Sequence, residues 1–207
     1  MRKTFLFCMA MCLAATLFSG CNRTASSNDG TCRIHGSIPA QYNDKRIFLV
    51  PLYGPKTAEF VDSIEIKDGK FEFTTDTLMM AQILVDYHFR LGVQPLLVVT
   101  EPGDVQVIID AVSHATGTPQ NDSLEQWKQA TEIHNTSLVQ LRREGKDQEA
   151  DSLHLAYKQL TRHMAENCKG TLLGDFLSNI YPKTYVRKYP DGREVTIDAD
   201  TNEEITE

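Results

Sequence analysis

Four sets of residues have the types and spacing that chemistry would need. Cys32 and Cys168 are two thiols separated by 136 positions, and neither sits in a Cys-x-x-Cys, so a redox-active dithiol is not expected. Two alternatives stand. Either they form a disulfide, whose chain-entropy contribution would be about 4–5 kcal/mol, or Cys168 is buried on a helix while Cys32 faces solvent. His134, His154 and His163 fall in one helical stretch. His154 and His163 lie on opposite sides of a single helix and cannot share a metal ion there. His134 with one of them across a helix pair could do so, and packed or solvated histidines are the simpler expectation. Asp198, Asp200 and Asn202 alternate like the first half of a calcium-binding EF-hand loop. Glu203 stands where that loop needs glycine, and no bidentate glutamate follows, so a solvated acidic tail is expected and no metal is assigned. Asp62-Ser63 and Ser113-His114 place hydroxyls beside an acid or a base. Neither has a nucleophile elbow or an orienting acid at a recognisable spacing, so no catalytic residue and no cofactor is expected.

Cys21 has a different claim. Met1-Arg2-Lys3 is a cationic start, Thr4 to Phe18 carries no charge, and Ser19-Gly20 places small residues directly before the cysteine. That order describes a secretory leader over residues 1–20, too short to span a bilayer. A cysteine at this place resembles a bacterial lipobox, with Phe18 where leucine is more usual. Cys21 is therefore the expected lipidation site and mature N-terminus. Cys8 and Cys12 would leave with the leader. Residues 21–31 are small and polar and read as a flexible tether, whose ten residues after the cysteine reach roughly 16–19 Å.

The formal charge is −7, and loss of Arg2 and Lys3 with the leader moves it to −9. An acidic chain does not suit nucleic acid or electrostatic docking on anionic lipid. Membrane attachment would then come from acyl chains on Cys21, at about 0.8 kcal/mol per buried CH₂.

These residues must be positioned by elements with two different periods. Over 32–118, short alternating runs recur between turns: Cys32–Ile38, Arg46–Leu52, Phe60–Ile66, Phe71–Thr74, Met80–Phe89, Gln94–Thr100 and Val105–Ile109. Asp68-Gly69 between two such runs is a strong hairpin signal, because a type I′ turn needs positive φ at both central residues. About seven strands without an intervening helix predict an antiparallel β-sandwich-like module. Tyr42, Phe48, Tyr53, Phe71, Phe73, Tyr87 and Phe89 all fall within it. They could form a sugar-binding platform, but core filling and cross-strand pairing are the expected use.

Residues 119–183 change to helical spacing. Ser123 with Gln126 fits a capping box, and Leu124, Trp127, Thr131, His134, Leu138 and Leu141 follow an a/d stripe. Gly145 stops that helix, a second runs to Gly170, and a short apolar helix ends near Tyr181-Pro182. The two long helices make a helical hairpin that the stripe could pair within or between chains. Residues 184–207 read as a β-hairpin around Tyr189-Pro190-Asp191-Gly192 and an acidic tail. The fold class is thus α+β.

Several short motifs occur in a telling order: Ile34-x-Gly36-x-Ile38, Val61-Asp62-Ser63, Asp68-Gly69-Lys70-Phe71-x-Phe73, Glu101-Pro102-Gly103 and Gly117-Thr118-Pro119-x-Asn121. Over about residues 31–180 the chain resembles the domain of unknown function (the 4369 family) that precedes thioredoxin-like domains in many lipoproteins of Gram-negative anaerobes. In the longer relatives that following domain carries a Cys-x-x-Cys. No such segment occurs here, so the resemblance implies no redox chemistry for this chain.

The expected function is a non-catalytic, lipid-anchored envelope protein acting as an interaction or scaffold module, held at the outer membrane facing the periplasm. Binding of a glycan or peptide is one alternative, and an accessory role in thiol–disulfide exchange is another. The expected partners are the membrane through the lipid, an envelope protein or glycan, and a second copy of the chain.

Overall fold

A computed structural model describes residues 30–85 and 95–205. Two four-stranded sheets stack face to face. In the first, β1 (Cys32–Ser37) lies between β4 (Lys70–Thr75) and β7 (Gly103–Ile108), and β8 (His114–Thr116) flanks β7. In the second, the order is β3 (Asp62–Glu65), β2 (Arg46–Pro51), β5 (Met80–Val85) and β6 (Leu96–Val99). Period-two alternation sets which side chains meet between the sheets. Ile34 sits in register with Phe73 on one side and Val105 on the other. Ile34, Phe73 and Val105 join Ile47, Leu49, Ile83 and Val98 of the opposite sheet in one buried core.

Two expectations change here. The β1–β7 pair is parallel, not antiparallel, so the first sheet is mixed. Between β1 and β7 the chain passes through β4 and the whole second sheet, which lets it re-enter alongside β1 from the same end. The module also has eight strands, because β8 adds a three-residue edge.

Three helices follow: α1 (Pro119–Arg143), α2 (Asp147–Asn167) and α3 (Leu172–Ile180). Gly145 makes the α1–α2 turn with φ 70°, a conformation natural to glycine. α1 starts four residues before the expected Ser123, with Thr118 at the N-cap and Pro119 in the first turn. Proline suits that place because its missing N–H has no intrahelical partner to lose. The first half of the a/d stripe packs within the chain, while Leu138 and Leu141 stay half-buried and outside both cores. The Trp127 indole donates to Thr161 Oγ1, and Thr131 meets the Tyr157 hydroxyl at 2.6 Å. A second core joins Met80 and Val99 of the second sheet to Leu124, Trp127, Met164, Leu173 and Leu177 of the helices.

The expected terminal hairpin is β9 (Thr184–Lys188) paired antiparallel with β10 (Glu194–Asp198). Ile197 is its buried anchor.

Candidate functional site

The short motifs come first, because their order suggested shared chemistry. Gly36 lies opposite Phe71 in the β1–β4 register, and a Cβ there would fall 1.9 Å from the Phe71 ring. Glycine at this place lets the ring close over the strand. Asp68 and Gly69 have φ 51° and 66°, as the turn requires. Gly69 N–H donates to Asn43 Oδ1 at 2.8 Å, while its carbonyl accepts the Ile38 N–H at 2.9 Å. The second pair of motifs forms one buried polar latch. Both Glu101 carboxylate oxygens receive hydrogen bonds from Gln120, one from its backbone N–H at 2.6 Å and one from its amide at 2.9 Å. The Gln120 amide oxygen in turn accepts the Leu173 N–H of α3. Asn121 meets Val99 as another strand would, accepting its N–H at 2.9 Å and donating to its carbonyl at 2.8 Å. A carboxylate at the N-terminus of α1 also faces the positive end of the helix dipole. These residues lock sheet to helices, and every polar atom named is already in use.

The cysteine pair is corrected by the structure. Cys32 is a free thiol buried in the core between the sheets, so it is neither bridged to Cys168 nor solvent-facing. Cys168 is buried in the second core at the end of α2. Two separate cores hold the two sulfurs. Burial, with the Glu101 and Asp104 carboxylates adding to it, pushes the Cys32 thiol up to about 12. Cys21 lies outside the described residues.

The acidic run forms a docking device rather than a calcium loop. Asp200 binds Arg162 Nη1 at 2.5 Å and the Lys158 ammonium, fixing the terminal hairpin to α2. Those contacts hold its carboxyl down at about 2, Arg162 contributing most. Asp198 Oδ1 accepts the backbone N–H groups of Asp200 and Thr201, and Asn202 Oδ1 accepts from Tyr185 and Arg187. The three oxygens thus face three different sets of donors. No group of three or more His, Cys, Asp or Glu suited to a metal ion occurs among the described residues.

Neither serine pair forms a nucleophile. Ser63 Oγ accepts from Arg46 at 2.5 Å, and Ser113 Oγ is tied to the Asp110 backbone. His114 faces the Val112 carbonyl. Of the aromatics, Phe71 and Phe73 are core residues, Tyr42 leans on that core, and Tyr53 stands exposed. Tyr87 and Phe89 lie outside the described residues.

The structure does bring two histidines together. His134 Nε2 and His154 Nδ1 lie 3.3 Å apart across the α1–α2 pair, while His163 is not part of the contact. Tyr157 stacks on His134 at 4.2 Å, and Tyr181 packs edge-on to His154 and Tyr157. Burial and the neighbouring Tyr157 raise the Tyr181 phenol. The signal was readable: the histidines lie almost equidistant from Gly145, as facing positions of a helical hairpin must.

One surface feature had no motif to announce it. Among the described residues β9 pairs only with β10, and no strand lies on its outer edge. Tyr185 is 38 % exposed and Val186 55 %. The strand holds Arg187 and Lys188 and no acidic residue, within a hairpin of balanced charge.

No curated protein and no solved structure matches the chain. One family does: the one described as Domain of unknown function (DUF4369) matches residues 32–124. That span takes in the eight strands and the first turn of α1, ending well short of the 180 or so that the motifs suggested.

Proposed function

We propose that the chain is a non-catalytic, lipid-anchored cell-envelope module that docks a partner protein by adding one of its strands to the outer edge of β9. The open edge carries the reading. An exposed strand presents unpaired N–H and C=O groups that template another strand, and proteins generally blunt such edges unless they use them. β9 itself carries Arg187 and Lys188 and no acidic residue, which suits an extended segment bearing Asp or Glu. The Glu101–Gln120–Asn121, Asp198–Asp200–Asn202 and serine sets are already spent in hydrogen bonds of the framework, which favours binding over catalysis.

The glycan alternative loses support because Phe71 and Phe73 are buried. The thiol-exchange alternative is disfavoured at Cys32, since a thiol held near 12 yields almost no attacking thiolate at neutral pH. Among the described residues no helix is long and apolar enough to cross a membrane. Attachment would fall to acylated Cys21, with the tether holding the body near the bilayer.

Each half has its own test. Cys21→Ser should move the protein from the membrane to the soluble fraction of fractionated cells; retention at the membrane would remove the lipid anchor. For docking, backbone amides of 184–188 should exchange hydrogen more slowly in gently extracted envelope complexes than in the purified chain. Equal exchange would contradict strand addition.

A further inference from the structure

The contact between His134 and His154 is more ordered than histidine packing requires. Asn135 Oδ1 lies 3.1 Å from His134 Nδ1. An amide oxygen only accepts, so His134 Nδ1 is the donor in this contact, and the Nδ1–H tautomer leaves a lone pair on Nε2. That lone pair faces His154 Nδ1 at 3.3 Å. Tyr157 fixes the plane of His134 by stacking, and the Tyr157 hydroxyl is itself held by Thr131 at 2.6 Å. Tyr181 braces His154 from the other side. A protonated far nitrogen held by an oxygen acceptor, on a ring whose orientation is locked, is the arrangement that metal-binding histidines use.

The spacing narrows the choice of ion. Two imidazole nitrogens at roughly 2.0–2.1 Å from a tetrahedral ion stand about 3.3–3.4 Å apart, from the Zn–N length and the tetrahedral angle. A right-angled square-planar or octahedral pair at similar bond lengths would close to about 2.9 Å. We propose that His134 Nε2 and His154 Nδ1 form a two-imidazole site for Zn²⁺, with water completing the coordination on the exposed His154 side. Bound there, the ion cross-braces α1 and α2 away from their turn. Two protein ligands make this an exchangeable site, weaker than the four-ligand sites that organise zinc fingers. The inference stands apart from the β9 reading.

The full chain, stripped with EDTA and titrated with ZnCl₂ alone by calorimetry at pH 7.5, should bind one equivalent and unfold at a higher temperature. His154→Ala, at an exposed position, should lower affinity about tenfold or more, since even the partners of metal ligands change it by roughly 10–100-fold. His134→Gln should do the same where circular dichroism shows it folded, and His163→Ala should leave binding intact. Absence of binding, or equal binding by His154→Ala and the parent chain, would overturn the site.

Discussion

Gly36 and Phe71 occupy one space on the inner face of the first sheet. A Cβ at position 36 would lie 1.9 Å from the ring carbon Cζ, so the Phe71 ring would have to move within the core. Gly36→Ala is expected to destabilise the protein by about 1–3 kcal/mol in urea unfolding, the usual range for overpacking. Gly36→Ala with Phe71→Leu should recover part of that loss, because the smaller side chain vacates the contested volume. Cys32 gives a second expectation at this scale. Its folded value of about 12 lies above the ordinary 9.0. Below pH 9 the thiol is protonated in both states and its contribution is whole. Between 9 and 12 the unfolded chain ionises first, so stability falls as pH rises. Unfolding midpoints measured from pH 8 to 11 should drop faster for the parent than for Cys32→Ala. The motif residues were legible as a pattern, yet their role was not. Glu101, Gln120 and Asn121 are polar types that chemistry uses, and only the fold reveals that each is spent on a neighbour's backbone or amide.

Among the elements, the terminal hairpin is held from outside itself. Asp200 ties it to Arg162 and Lys158, one turn apart on α2, and Arg162 also donates to the Tyr181 and Pro182 carbonyls. Asp200→Asn is expected to speed tryptic cleavage at Lys183, Arg187 or Lys188 without changing cleavage in the β module. Acid should act the same way. The carboxyl is held at about 2, below its ordinary 3.8. The ion pairs are therefore whole above pH 4 and lost as pH falls through 2. The elements themselves were largely legible, since alternation marks strands, and Gly145 and Gly170 stop helices by adopting φ of 70° and 80°. β8 was missed because three residues are too short for a period to appear. The parallel β1–β7 pair was missed because partner choice between distant strands leaves no local trace. α1 was placed late because Asn121 and Ser123 read as caps, although Asn121 serves β6 and Pro119 already opens the helix.

At the scale of the whole molecule, an acidic body carries a terminal hairpin of balanced charge, whose strand β9 has Arg187 and Lys188 and no acidic residue. The leader and the lipidation at Cys21 are proposed from local composition alone, because targeting signals are written in short segments. The proposed docking edge left no such trace, since an unpaired edge depends on which strands become neighbours. The account stands or falls on that edge. A photo-crosslinking residue at position 186, placed in the full chain in intact cells, should yield one discrete adduct. The same residue at Val112, which is 77 % exposed in a loop of the β module, should yield little. Crosslinking at 186 no stronger than at 112 would contradict the proposal that β9 is where this protein meets its partner.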